Sequence, residues 1–161
     1  MKVLLIDVYN YNKGGAETVC FNTGNMLKQN GHEIVYFTLK WIHNLHSPFE
    51  KYFPESKETR KGILRQVINL RNYFYYPDAA QKIEQLIIDE KPDIAHIHLL
   101  WGQISPSIFP VLKKYNIPIV FTIHDYRIVC PAYSFKNGKD EICEKCQGKY
   151  FYRCFTNKCT K

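Results

Sequence analysis

Met1-Lys-Val-Leu-Leu-Ile-Asp-Val8, then Asn12-Lys-Gly-Gly-Ala-Glu17, then an amphipathic stretch to about Asn30: this order decides how the chain is read. The apolar run predicts a buried strand over Val3–Val8 and the glycine pair a turn. Glu17–Gln29 reads as a helix, with Val19, Met26 and Leu27 on one side and Asn30-Gly31 as its stop. A strand that runs through a glycine pair into a helix start points free backbone N–H groups and a positive helix end at an anion, usually a phosphate. The pair lacks the third glycine of a dinucleotide fingerprint and the Lys-Ser/Thr of a nucleotide P-loop. The alternative is a turn that only joins strand to helix, glycine supplying dihedrals that other residues resist.

Working outward, Glu33–Leu39 reads as a second strand, too uniformly apolar at Ile34, Val35, Tyr36 and Phe37 for a one-sided sheet. Lys40–Lys61 holds Pro48, Pro54 and many charges, and reads as a long loop of the kind that is functional or mobile. Ile63–Phe74 and Asp78–Glu90 read as helices split at Tyr76-Pro77, with Asp78 as the N-cap of the second. Ile94–His98 is a short strand, and Ser105-Pro106 opens a helix to about Tyr115. Asn116-Ile-Pro118 then turns the chain into Ile119–Ile123, expected to be another buried strand, with His124-Asp125 at its end. Such alternation predicts an α/β, Rossmann-like parallel sheet with helices on both faces. Ligands bind such sheets outside the carboxyl ends of the strands, where Gly14-Gly15, His98 and His124-Asp125 all fall. His96 is expected on the face opposite His98, as a structural residue.

At 161 residues and 45% hydrophobic, the chain has the size of one domain and enough apolar content for a core. The first ten residues carry no cleavage-site pattern, and no apolar run approaches the roughly 20 residues of a membrane span, so a soluble cytoplasmic protein is expected. The net charge of +7 is uneven: +2 over residues 1–125 and +5 over 126–161. A basic patch suits nucleic acid, an anionic membrane or a phosphorylated substrate, or is only a solvated surface. The same tail holds Cys130, Cys143, Cys146, Cys154 and Cys159. Cys143-x-x-Cys146 has metal-knuckle spacing, and Cys154 with Cys130 or Cys159 would complete a tetrahedral thiolate site. A structural zinc on Cys130, Cys143, Cys146 and Cys154 therefore stands beside two alternatives, free thiols and disulfides, and cytosolic thiols normally stay reduced. Cys20, in the first helix, is expected to be a buried small apolar residue. A rival reading is a zinc-stabilised nucleic-acid-binding module, but it leaves the sheet without a task. A nucleotide-sugar epimerase would need an acidic ribose contact after strand two, where the chain has Leu39-Lys40-Trp41.

Three segments in order resemble the N-terminal domain of family-four retaining glycosyltransferases, which have the GT-B fold: Gly14-Gly15-Ala16-Glu17, Lys91-Pro-Asp-Ile-Ala-His-Ile-His98, and Pro118-Ile-Val-Phe-Thr-Ile-His124-Asp125-Tyr126 with Cys130-Pro131. The resemblance covers essentially the whole chain. It implies two Rossmann-like domains, the N-terminal one binding the acceptor and the C-terminal one the sugar nucleotide. Residues 1–161 would then be a truncated acceptor-side domain with a Cys-rich basic segment at 126–161, inactive alone because the donor-binding domain is absent. The implied reaction moves a sugar from a nucleotide-sugar donor to a glycan or lipid-linked acceptor, with no cofactor required. Gly14, Gly15 and Ala16 would face the donor diphosphate, whose charge grows as it leaves. His124 would border the transferred sugar, with Asp125 orienting a histidine or capping the next turn. His98 would lie at the acceptor end, Trp101 could stack on a sugar face, and Glu17 would match the helix dipole or touch ligand. The basic tail and Tyr73-Phe-Tyr-Tyr76 suggest peripheral contact with an anionic inner membrane face, or a helix-packing surface, and no nucleic-acid partner is expected.

Overall fold

The computed structural model describes residues 1–56, 72–100, 103–146 and 150–159. The chain divides into two units, Met1–Thr122 and Ile123–Lys161. The first contains β1 (Lys2–Ile6), α1 (Gly15–Gln29), β2 (Glu33–Phe37), α2 (Pro77–Glu90), β3 (Ile94–Ile97), α3 (Ile108–Lys114) and β4 (Ile119–Phe121). All strand pairs are parallel, in the order β2-β1-β3-β4. The expected α/β, Rossmann-like arrangement is therefore present.

Both faces of the sheet are covered, which is why its central strands are apolar throughout rather than alternating. Leu4, Ile6, Val35, Phe37, Ala95 and Ile97 pack against Ala79, Ile83, Leu86 and Ile87 of α2 and Ile108 and Leu112 of α3. Val3, Leu5 and Ile34 meet Cys20 of α1 on the other face. The face that α1 buries is Glu17, Cys20 and Gly24, not the expected Val19 and Met26, which are 43% and 57% exposed. The sheet accepts this small stripe because α1 lies close to it. A Cβ on Gly24 would fall on the Tyr36 hydroxyl and 3.0 Å from Leu5 Cδ1. The expected stop holds: Asn30 N–H caps the last turn, and Gly31 adopts φ +78°.

Three further expectations need correction. Asp78 does not cap α2. Pro77 occupies its first turn, and the Asp78 carboxylate instead accepts from Glu55 N–H at 3.1 Å and the Tyr76 hydroxyl at 3.2 Å. α3 begins later than expected, at Ile108, because Ser105 at φ +77° turns the chain. There the Ser105 hydroxyl accepts from Tyr76 N–H and the Ser107 hydroxyl donates to Tyr76 O, each at 3.0 Å. β4 is exposed, with Ile119 at 39% and Val120 at 45%, because it is the outermost strand among the described residues.

The loop after β2 is tied down through a 3-10 turn at Glu50–Tyr52, a Lys40 N–H bond to Pro54 O at 2.9 Å and a Tyr52 hydroxyl bond to Asp89 at 2.6 Å. Of the helix expected at Ile63–Phe74, residues 63–71 lie outside the described residues, and Asn72–Phe74 are helical. The second unit holds a 3-10 turn at Tyr126–Ile128 and a short helix, α4 (Arg153–Thr156).

Candidate functional site

The chain runs from β1 outward to β2, then returns to place β3 on the other side of β1. The strand order thus reverses between β1 and β3, and open α/β sheets bind ligands in the crevice at that point, beyond the carboxyl ends. Two of the features singled out above follow these two strands. Gly14-Gly15 follows β1, and His98 follows β3, where its N–H donates to Ile6 O at 2.8 Å.

Gly14 precedes α1 with extended backbone, φ −163° and ψ −165°, and Gly31 is the only glycine among the described residues at positive φ. The turn therefore does not require glycine dihedrals at 14 or 15. What the pair provides is bare backbone. A Cβ on Gly15 would meet nothing within 4 Å, and one on Gly14 would meet only the Glu17 carboxylate at 3.3 Å. No side chain caps the start of α1, leaving the Gly15-Ala16 end of the helix free of its own side-chain acceptors.

Beneath this loop lies a carboxylate that sequence reasoning passed over. Asp7 is 1% exposed, and its Oδ1 accepts Val8 N–H at 2.6 Å. Burial pushes its carboxyl up to about 7; the Val8 N–H and the Cys20 thiol oppose the shift, and the nearby charge of Glu17 adds to it. Glu17 is itself 5% exposed and stands in the first turn of α1. The signal was present: a lone acidic residue closing an apolar strand run.

His98 is 1% exposed. Its ring stands 4.3 Å from that of His96, at 34°. The expectation of opposite faces was mistaken, because residues two apart on a strand share a face. His96 Nε2 lies 2.7 Å from the Thr122 hydroxyl. Trp101 lies outside the described residues.

The loops after β1 and β2 also assemble an aromatic group that the sequence reading did not connect. Tyr9 meets Tyr11 at 5.5 Å and Trp41 at 5.8 Å between ring centroids, His43 meets Tyr11 at 6.1 Å, and Lys13 Nζ sits 3.8 Å from the Tyr9 ring centre.

His124 and Asp125 belong to the second unit. Asp125 caps its 3-10 turn: Oδ1 accepts Arg127 N–H at 2.9 Å, and Oδ2 pairs with Arg127 Nη2 at 3.2 Å. The capping alternative is thus the one observed. All six cysteines are free. Cys130, Cys146 and Cys154 are buried together with Ala132, and Phe135 and Cys159 pack against them. Burial and the neighbouring thiols push Cys159 up to about 11, and Cys146 is raised by the same causes. Among the described residues, no three His, Cys, Asp or Glu side chains already stand at metal-ligand positions. No helix among them is long and apolar enough to cross a membrane.

Residues 13–154 match the family described as Glycosyltransferase Family 4. The chain belongs to that family. The match opens at the diglycine loop and closes at Cys154, so it takes in Cys130, Cys143, Cys146 and Cys154 but not Cys159. This family-4 chain is also 27% identical over 158 residues to an uncharacterized 42.6 kDa protein in the cps region of Klebsiella pneumoniae. That alignment covers 87% of the chain and 41% of the relative, so the chain spans about two fifths of the relative's length.

Proposed function

We propose that this family-4 chain is the acceptor-side part of a glycosyltransferase that moves a sugar from a nucleotide-sugar donor to a glycan or lipid-linked acceptor. The observation that carries the reading is the uncapped start of α1, kept bare by Gly14 and Gly15 at the switch point of the sheet. Backbone N–H groups at Gly14, Gly15 and Ala16 would face the donor diphosphate, presented by a separate donor-binding domain. They would stabilise the charge that grows on the leaving nucleoside diphosphate. His124 would border the transferred sugar, and Asp125 would position that segment by holding the turn after it. His98 would lie at the acceptor end, and Tyr9, Tyr11, Trp41 and His43 would offer ring faces to the acceptor. The transfer itself needs no cofactor in this reading. The setting would be cytoplasmic, with Tyr73, Phe74 and Tyr75, at 42%, 68% and 51% exposure, resting on an inner membrane face.

The test is transfer of labelled sugar by the intact protein, from a panel of nucleotide sugars to glycan and lipid-linked acceptors, for wild type and Gly15→Val. The valine finds open space in the protein, so the melting temperature should hold. Its methyls would occupy the approach to the helix start, and turnover should fall by roughly 100-fold, the scale of losing a donor to a developing anion. Wild-type turnover in Gly15→Val would remove the loop from the donor site. No consumption of any nucleotide sugar would remove the transferase reading.

A further inference from the structure

We propose that Cys143, Cys146, Cys154 and Cys159 together bind one zinc ion that fixes the fold of residues 123–161. The need for such a cross-link comes from the composition of this unit's interior. Among its described residues, the buried side chains are Cys130, Ala132, Cys146 and Cys154, three thiols and a methyl. Its large apolar groups point outward instead, with Ile142 85%, Phe155 83% and Tyr152 61% exposed. A unit of under about 40 residues seldom buries enough apolar surface to offset its conformational entropy, and disulfides or metals usually make up the difference. Four of its non-glycine residues also adopt positive φ: Tyr133, Phe135, Asp140 and Lys158. Such strain persists only where the surroundings hold the chain firmly.

The four thiols fall into two pairs along the chain. Cys143-x-x-Cys146 forms one pair, and Cys154 and Cys159, five positions apart, form the other; both spacings are common in structural zinc sites. The backbone folds one pair onto the other. Gly138 N–H donates to Asn157 O at 3.3 Å, Lys145 Nζ to Asn157 Oδ1 at 3.0 Å, and Arg153 to Lys145 O at 3.2 Å. Gly138 lies so close to the second segment that a Cβ there would fall on the Lys158 carbonyl. The Cys159 thiol lies near those of Cys154 and Cys143, and Cys146 lies near Cys143 and Cys159. Cys130 approaches Cys146 but enters from a separate segment, at the end of the Tyr126–Ile128 turn, and serves as apolar filling.

Zinc enters as the divalent ion. Four S–H bonds release their protons to solvent, four Zn–S bonds of about 2.3 Å form, and no oxidation state changes. Because the unit also carries His124 and Asp125, the ion would hold the segment that the transferase reading uses, although the binding itself does not depend on that reading.

Metal analysis of the chain purified under reducing conditions without added metal should find about one zinc per chain. Chelation should raise the count of titrating thiols by about four. Cys143→Ser and Cys159→Ser should lose the ion, and Cys130→Ser should keep it. Cobalt added to the chelated wild-type chain should give the absorption of a tetrahedral thiolate complex, a check independent of whether the variants fold. No bound zinc and no cobalt spectrum would overturn the site, as would disulfides among these cysteines in the freshly purified chain. Zinc retained by Cys159→Ser and lost from Cys130→Ser would overturn the ligand set.

Discussion

Asp7→Asn should remove a pH-dependent cost of folding. In the unfolded chain this carboxyl titrates near 3.8, and burial raises it to about 7 in the folded protein. Between those values the folded protein retains a proton that the unfolded chain has lost. A raised carboxyl of this kind is least costly below the unfolded pKa, and its penalty grows as pH rises until it levels off above the folded pKa. The shift is about three units, worth about 4 kcal/mol in all. Asparagine is neutral throughout, nearly the same shape, and can still accept the Val8 N–H. The stability advantage of the variant should therefore widen by about 4 kcal/mol between about pH 4 and pH 8. Urea unfolding followed by tryptophan fluorescence measures this directly, since both tryptophans, Trp41 and Trp101, lie within residues 1–122. Every other titrating group is common to the two proteins, so their contributions cancel in the difference. A gap constant to within about 1 kcal/mol across that range would mean that Asp7 is solvated in the folded protein, and the argument from burial would fail.

Gly24→Ala gains up to about 1 kcal/mol of helix propensity, yet its methyl falls on Tyr36 and Leu5 across the α1–sheet contact. Overpacking of about 1–3 kcal/mol should win, so the melting temperature should drop; an unchanged or higher value would refute the close approach. Lys91 ends α2 at φ +49°, where glycine carries no Cβ penalty. Lys91→Gly should raise the urea midpoint, by a free energy of about 0.5–1 kcal/mol, and a lower midpoint would show that the lysine side chain outweighs the strain.

The order of elements, with the glycine pair after β1 and His98 after β3, was legible because it follows from local signals: apolar runs, glycine, and the alternation of strand and helix. What was not legible depended on partners distant in sequence. The buried side of α1 was misread because apolar periodicity favoured Val19 and Met26, whereas closeness to Tyr36 and Leu5 selects Gly24. β4 reads as buried from its residues alone, and its exposure follows from its place in the strand order. Asp78 has the residue type of a cap, but its carboxylate accepts from Glu55 N–H, 23 residues earlier in the chain. The aromatic group of Tyr9, Tyr11, Trp41 and His43 comes from two loops that only the β1–β2 pairing brings side by side.

Under the proposed transferase function, Gly24 would serve as a pivot. At 1.5 Å per residue it lies about 13 Å along α1 from Gly15, so rocking the helix by about five degrees there would swing its open mouth by about an ångström. Misalignment of that size is enough to slow a reaction that depends on aimed dipoles. A residue remote from any substrate would thereby govern catalytic aim through leverage alone, and variants at position 24 should slow transfer more than their lost stability explains.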